Sequence, residues 1–520
     1  MILMAASLNH FQFLDYAIFA AYLLASVLVG VLFVKEQKDI KSYFLAGQSM
    51  GYMVVGISVL AALFSGISYL ATPSEVYSNG IMFFFVALSF FVATPITTIV
   101  FLPFFYRSRF FTAYQYLEER FSVQVRLLGS ALFIGRVLIW LALAVYAPSL
   151  ALEQVTGLPL WFSILCTGVL TTIYTTLGGM KAVIWTDVMQ FFVLIGGQLL
   201  ILFIAVAKIP GGFGGVFEIG QARGRFDIDF SFSLTARMTF WGAMIGGAVI
   251  GLVQMATDQV SVQRYLTATS IKEARRSLWF KLALLLPTLM VFYLTGLVLF
   301  AFYQTHGDPV AAGSISKSDQ ILPFFVVNEL PMGLPGLLVA AIFAASMSTV
   351  SAGINSLTTT TIVDFYQRLR KSPEKVSDRK QLKLAKCLTL IYGTLVVVLA
   401  FQVQKLGSLV EASNKVIGLV GGPLLGLFTL GMLFKRANAP GALIGWVAGV
   451  LVLIKVAFAS PISWLWYSVI GFLVTVGVGW AASWLFPTPS AKKLDGLTWE
   501  GRHQEAEADP AAKPARSDSD

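Results

Sequence analysis

The 520-residue chain is 57% hydrophobic and only 12% charged. That balance leaves no room for a soluble catalytic domain: apolar runs of about 20 residues recur throughout, each long enough to span a bilayer as a helix. The formal net charge of +10 is not the footprint of a nucleic-acid binder, because Lys and Arg lie in short connections between the apolar runs, where they set topology. Two cysteines, Cys166 and Cys387, and three scattered histidines, His10, His306 and His503, suggest neither a disulfide framework nor a metal cluster. No enzyme activity, nucleic-acid partner or obligate protein partner is therefore expected, only a small-molecule solute and the lipid bilayer.

The predicted fold class is an all-α polytopic membrane protein with about 13 transmembrane helices. They fall at 13–34, 50–72, 81–106, 125–150, 159–177, 184–206, 238–260, 278–303, 335–362, 383–403, 409–434, 440–457 and 462–486. The first run lacks a basic leader and reads as a retained helix rather than a cleaved signal peptide. With the N-terminus outside, the inward loops collect Lys35, Lys38 and Lys41, then Arg107, Arg109, Arg120 and Arg126, then Lys272, Arg275 and Arg276. The densest inward set is Arg368, Arg370, Lys371, Lys375, Arg379 and Lys380. That asymmetry predicts an N-terminus outside and a cytoplasmic C-terminus in a plasma membrane, the inner membrane if the cell is bacterial. The Gly-rich stretch 210–229 reads as an external loop with short helical pieces, and 487–520 as a disordered cytoplasmic tail.

Two spans look interrupted. The second carries Ser65, Gly66, Ser68 and Pro73; the seventh carries Gly246, Gly247 and Gly251 ahead of Gln254, Thr257, Asp258 and Gln259. Glycine weakens a helix and proline lacks an amide donor. Non-helical backbone at membrane depth persists only where protein or a wet cavity covers it. Interrupted spans five helices apart point to a five-plus-five inverted-repeat transporter with its site at the midplane. The expected division is an extra helix and loop over 1–49, a transport core over 50–434 (repeat one 50–206, repeat two 238–434), and two C-terminal helices over 435–486.

The ninth span holds Ser346, Ser348, Thr349, Ser351, Asn355 and Ser356 in its middle. Ala345, Ser348, Thr349 and Ala352 share one helix face by their i, i+3, i+4, i+7 spacing. Two hydroxyls and a carbonyl on one face can supply part of an oxygen shell for a small hard cation, or simply mediate helix packing. Asp187, beside Thr186, enters the sixth span and is either a functional acid or a partner of the helix dipole. Arg136, inside the fourth span, needs an anion: a fixed acid such as Glu75 or Asp258, or a solute carboxylate. Glu411 and Lys415 read as an i, i+4 ion pair. Tyr69, Phe83, Phe84, Phe85, Phe90, Phe91, Trp140, Tyr146 and Trp241 either line a solute cavity or pack.

These residues carry a resemblance over nearly the whole membrane portion. GGMKAVIWTDVMQ (178–190), AASMSTVSAGINS (344–356), SVLAALFSGISYLATPSEVY (58–77), YAPSLALEQVTG (146–157) and TDQVSVQRYL (257–266) together resemble the sodium/solute symporter family, in particular its iodide, monocarboxylate and multivitamin branch and the bacterial sialic-acid symporters. The resemblance implies alternating access coupled to Na⁺, which would be the coupling ion. It implies a sodium site from the carbonyls of Ala61, Phe64 and Ala345 with the hydroxyls of Ser348 and Thr349. A second site in some members would use Asp187 with Ser348 and Ser351, but Ala352 stands where the third hydroxyl is needed. Solute contacts would come from Ser65, Ser68 and Tyr69, the third-span aromatics, Gly251 and Gln254. The small, apolar second-span segment speaks against a neutral hexose and Arg136 for an anion. The expected function is a sodium-coupled symporter importing a small organic solute, a monocarboxylate or other organic anion. A sugar or amino-acid symporter is the alternative, and a solute sensor on the same fold the remote one.

Overall fold

The computed structural model describes residues 12–107, 110–315, 317–370, 377–403 and 409–499, and every regular element among them is helical. Helix is what an apolar run in lipid must adopt, because it satisfies every backbone amide and carbonyl within the segment. Those the site depends on are, in chain order, α1 (Phe13–Leu32), α2 (Tyr52–Leu63), α3 (Gly66–Asn79), α4 (Ile81–Tyr106), the short α5 (Tyr114–Arg120), α6 (Val123–Thr156) and α7 (Leu160–Ala207). Then come α8 (Gly242–Thr257), α9 (Gln259–Tyr265), α10 (Ile271–His306), α11 (Leu334–Leu369), α12 (Asp378–Val403), α13 (Leu409–Leu433), α14 (Ala439–Ala459) and α15 (Trp464–Leu485).

By length and composition, 9 of the described helices can cross a membrane, and 11 when each bent pair forms one span. The bent pairs are the two interrupted stretches: α2 and α3 meet at 67°, α8 and α9 at 59°. The 48-residue α7 is ~72 Å of helix, more than twice a ~30 Å hydrocarbon core. It breaks at Gly179, whose φ of 55° and ψ of −154° leave helical geometry. A Cβ there would come 2.8 Å from the Tyr43 carbonyl oxygen and 2.9 Å from Gln37 Oε1, so only glycine fits. The break separates the expected fifth and sixth spans.

α11 is the axis of the bundle: 94% of its most apolar window is buried inside the protein, against 22% for the first span. It packs on α7, α6, α1 and α12. Asp15 docks α1 onto it; the buried carboxylate accepts amides from Gly333 at 3.0 Å and Gly336 at 2.8 Å, answering the free donors and positive dipole at the start of α11. The stretch 210–229 contains a helix, Gly212–Ala222. One expectation is corrected at the C-terminal end. Residues 487–499 are seated on α5 rather than loose: Tyr116 donates to the Leu497 carbonyl at 2.9 Å and Lys493 to that of Phe121 at 2.6 Å. The remainder of the expected tail lies outside the described residues, as do the Glu411 and Lys415 side chains.

Candidate cation site and solute path

α2 stops at Leu63 because Phe64 turns to φ −91°, ψ 88°, which leaves the last carbonyls of the helix without their i+4 donors; that of Ala61 takes only the Phe64 amide from the backbone, at 3.1 Å. The chain restarts at once. Ser65 caps α3, its hydroxyl accepting the Ser68 amide at 3.2 Å. Gly66 allows the restart to press against its neighbours, since a Cβ there would lie 2.6 Å from Pro148 Cγ and overlap the Ser346 hydroxyl.

α11 faces this break with its hydroxyls. Ser348 Oγ donates to the Ala345 carbonyl at 3.0 Å and reaches the Ala61 carbonyl across the interface at 3.3 Å. Thr349 Oγ1 donates to the same Ala345 carbonyl at 3.2 Å. Four of the five expected sodium ligands, Ala61, Ala345, Ser348 and Thr349, thus form one cluster, each no more than 1% exposed. Phe64 ends the same break, its ring 5.2 Å from that of Phe292. Hydroxyls held only by carbonyls can rotate to turn lone pairs inward, and a ring of neutral oxygens suits a hard cation.

Asp187 is fully buried and paired. Arg264 Nη2 lies 3.0 Å from Oδ2, and Ser58 donates to the same oxygen at 2.5 Å while accepting from Arg264 Nε at 3.0 Å. Thr186 bonds back to its own helix, to the Ala182 and Val183 carbonyls, and does not extend the cation cluster. Ser351 donates to the Ser348 carbonyl at 3.0 Å, and Ala352 offers no oxygen, so no joint oxygen shell is assembled around Asp187. Its Oδ1 has no hydrogen-bond partner.

Of the alternatives open for Arg136, the structure shows a fixed acid beside it: it pairs with Asp258, the cap of α9 at the seventh-span break. Glu75 is held instead by Arg237, bidentately, at 2.8 Å on each arm. The other expected solute residues divide. Ser68 lines a cavity of about 190 Å³ with Ile67, Glu75, Phe83, Arg237 and Trp464. Ser65 is occupied as a cap, with Ser68 Oγ 3.2 Å away. Tyr69 turns from the cavity into the core, edge-on to Phe292. Gly251 packs on α4, and Gln254 is half-buried one turn further along α8; neither lines the cavity.

Sequence reasoning passed over Arg264 and Gln263, although both sit in the TDQVSVQRYL stretch. Gln263 donates to the Phe44 carbonyl, Asn355 and Thr359 at 2.7–2.8 Å, tying α9 to α11. Their signal was available: two long polar side chains in a span with no water to satisfy them.

A helical bundle with two bent spans, one break facing buried hydroxyls on the central helix, defines a cation-coupled membrane transporter. The comparisons with known proteins make that class specific. The sequence model of the Sodium:solute symporter family matches residues 43–449. The sodium-dependent multivitamin transporter of Oryctolagus cuniculus is 37% identical over 460 residues, 87% of this chain and 71% of that protein. The sodium-coupled monocarboxylate transporter 1 of Xenopus laevis is 36% identical over 463 residues, 88% of this chain and 74% of that one. A solved structure of a Na⁺-coupled sialic acid symporter, substrate-bound and outward-open, is 33% identical with a TM-score of 0.87, covering 92% of this chain and 99% of its own. The chain belongs to the sodium:solute symporter family. It is a multi-pass membrane transporter of small solutes whose coupling ion is Na⁺, and its relatives are transporters, not enzymes.

Proposed function

We propose that this protein imports a small organic anion, a monocarboxylate being the first candidate, together with Na⁺ by alternating access. The observation that carries the reading is the Ser348 hydroxyl bridging the Ala61 carbonyl at the α2 break and the Ala345 carbonyl of α11. Sodium bound among Ala61, Phe64, Ala345, Ser348 and Thr349 fastens the broken span to the central helix. Sodium thereby favours whichever arrangement brings the two together. Neutral oxygens bind the ion weakly enough to release it into a low-sodium cytoplasm. The cargo reading draws support from the relatives named for monocarboxylates and sialic acid, both anions.

In the same reading, 50–206 and 238–434 are the two inverted repeats, the N-terminus is outside, and Ser68 lies below an outer vestibule bridged by Arg237 and Glu75. Asp187, neutralised by Arg264, acts in coupling and is not a ligand of a complete second site. The test is uptake into proteoliposomes of short monocarboxylates, sialic acid, hexoses, proline and iodide, under an inward Na⁺ gradient and with K⁺ in its place. Sodium-dependent accumulation of a carboxylate is expected; sodium-dependent uptake of hexose or proline alone would refute the anion reading.

A further inference from the structure

The buried cationic side chains among the described residues are Arg120, Arg126, Arg264 and Lys281. Three have oxygen partners. Arg264 meets Asp187, Arg126 meets Asp364 and Glu118, and Arg120 donates to the Gly431 and Phe434 carbonyls. Lys281, on α10 and 0% exposed, has none. Its ammonium lies 3.7 Å from the Met255 sulfur and 4.2 Å from the centroid of the Phe90 ring. A thioether is a weak acceptor and a ring face a partial one. An ammonium at membrane depth without an anion is costly to hold and marks a functional position by default.

Its neighbours place it. Phe90 is on α4, and a Cβ on Gly251 of α8 would stand 3.5 Å from two atoms of that ring. Met255 is one turn beyond Gly251, within the widened turn Val253–Thr257 that precedes the Asp258 break, and receives the Thr94 hydroxyl at 3.6 Å. The ammonium therefore lies against α4 and α8 beside the Asp258 break, outside the cavity that Ser68 lines, and the two groups covering it are a flexible thioether beside a helix break and an aromatic ring.

We propose that Lys281 is the counter-charge for the carboxylate of the transported solute, and that the carboxylate oxygens displace Met255 and Phe90 from the ammonium when α8 moves about its break. The proposal rests on the anion-symporter reading and deepens it. The lysine selects charge: a neutral solute of the same shape would strip the ammonium of its ring and thioether contacts and return no anion.

The experiment uses the full chain in proteoliposomes and in detergent, as wild type, K281M, K281Q and K281R. Propionate, pyruvate, nicotinate and sialic acid are the probes, with propionamide and nicotinamide as uncharged controls. For the carboxylate that the wild type accumulates, K281M and K281Q are expected to raise KM by about 10- to 100-fold, the loss of one charge-assisted contact, and K281R to recover part of it. Sodium-induced thermal stabilisation is expected to persist in all three variants, and the solute-free Tm of K281M to match or exceed that of the wild type, because an unpaired charge has been removed from the core. Wild-type KM in both K281M and K281Q overturns the proposal while leaving the symporter reading intact. A lowered Tm with unchanged KM does the same and makes Lys281 a packing residue. Sodium-dependent uptake by the wild type of uncharged solutes alone overturns both.

Discussion

Replacing Ser348 by alanine tests the proposed sodium site apart from everything around it. The side chain is small and buried, so the change removes one oxygen and little volume. In the proposed site, with sodium bound, that oxygen is a ligand to a cation, an interaction taken in the range of about 1.5–3 kcal/mol for hydrogen bonds to charged groups. Without sodium it makes two neutral contacts, to Ala345 at 3.0 Å and Ala61 at 3.3 Å, together about 1 kcal/mol at these lengths. The variant loses that in the empty state as well, so the net penalty on binding is about 0.5–2 kcal/mol, or roughly 2- to 30-fold in the half-saturating sodium concentration. Thr349→Ala forfeits only one contact, at 3.2 Å within its own helix, and is expected to weaken sodium binding at least as much. Titrating the thermal midpoint with NaCl at constant ionic strength reads this directly: at saturating sodium, tenfold weaker binding removes about 1.4 kcal/mol of stabilisation. Uptake at saturating sodium is expected to keep its solute KM. Unchanged sodium dependence of both Tm and uptake in Ser348→Ala and Thr349→Ala would refute the assignment.

Asp187→Asn is expected to leave the Arg264 guanidinium buried and unpaired, which costs about 3–5 kcal/mol and lowers Tm sharply; a variant with wild-type Tm but reduced sodium affinity would make Asp187 a ligand instead. Arg136→Ala is expected to reduce the yield of folded protein while uptake per folded molecule persists, because its partner is Asp258; selective loss of anion uptake from well-folded protein would return Arg136 to the solute path. Symport of one Na⁺ with one monoanion is electroneutral, so a valinomycin-imposed K⁺ diffusion potential should leave the accumulation ratio unchanged. A second Na⁺ would add about 2.3 kcal/mol per 100 mV and make uptake strongly potential-dependent.

Legibility in the sequence obeys a physical division between local and long-range features. The breaks at Phe64 and Asp258 are visible because Gly, Ser and Pro in an apolar run have few other uses, and the Ala345, Ser348, Thr349 face is visible because helical spacing is local. Asp187 is visible as an ion in a span, but its role is not. Its partner Arg264 is 77 residues away in the chain and reaches it only because α9 is turned by the break ahead of it. Arg136 has two acids to choose between, and only the bend that points the Asp258 cap inward decides for Asp258 over Glu75. Lys281 is hidden because it comes after Arg275 and Arg276, where a third cation at the start of a span reads as an interfacial anchor reaching for headgroups. In the fold it faces inward. The polar composition beyond Glu500 makes 487–499 look loose too, yet Leu497 and Trp499 pack on the core through α5.

The structure divides its buried polar groups by how well they are answered. Asp187 with Arg264, Arg136 with Asp258, and Arg126 with Asp364 are strong, mutually neutralising pairs that bind one helix to another. A charge already neutralised has less to gain from a cargo, and breaking any of these pairs exposes a charge to low dielectric. Ser348 and Thr349 hold only neutral carbonyls at 3.0–3.3 Å, and Lys281 only a thioether and a ring. In the proposed reading these groups are the ones with most to gain from a sodium ion and a carboxylate, and least to lose when the cargo leaves. A carrier must bind and release on every cycle, so its cargo contacts have to be drawn from side chains whose resting partners are weak. In the proposed cycle the strong pairs would make the helices move as units, and the weakly held groups, each beside a broken span, would make that motion depend on what is bound.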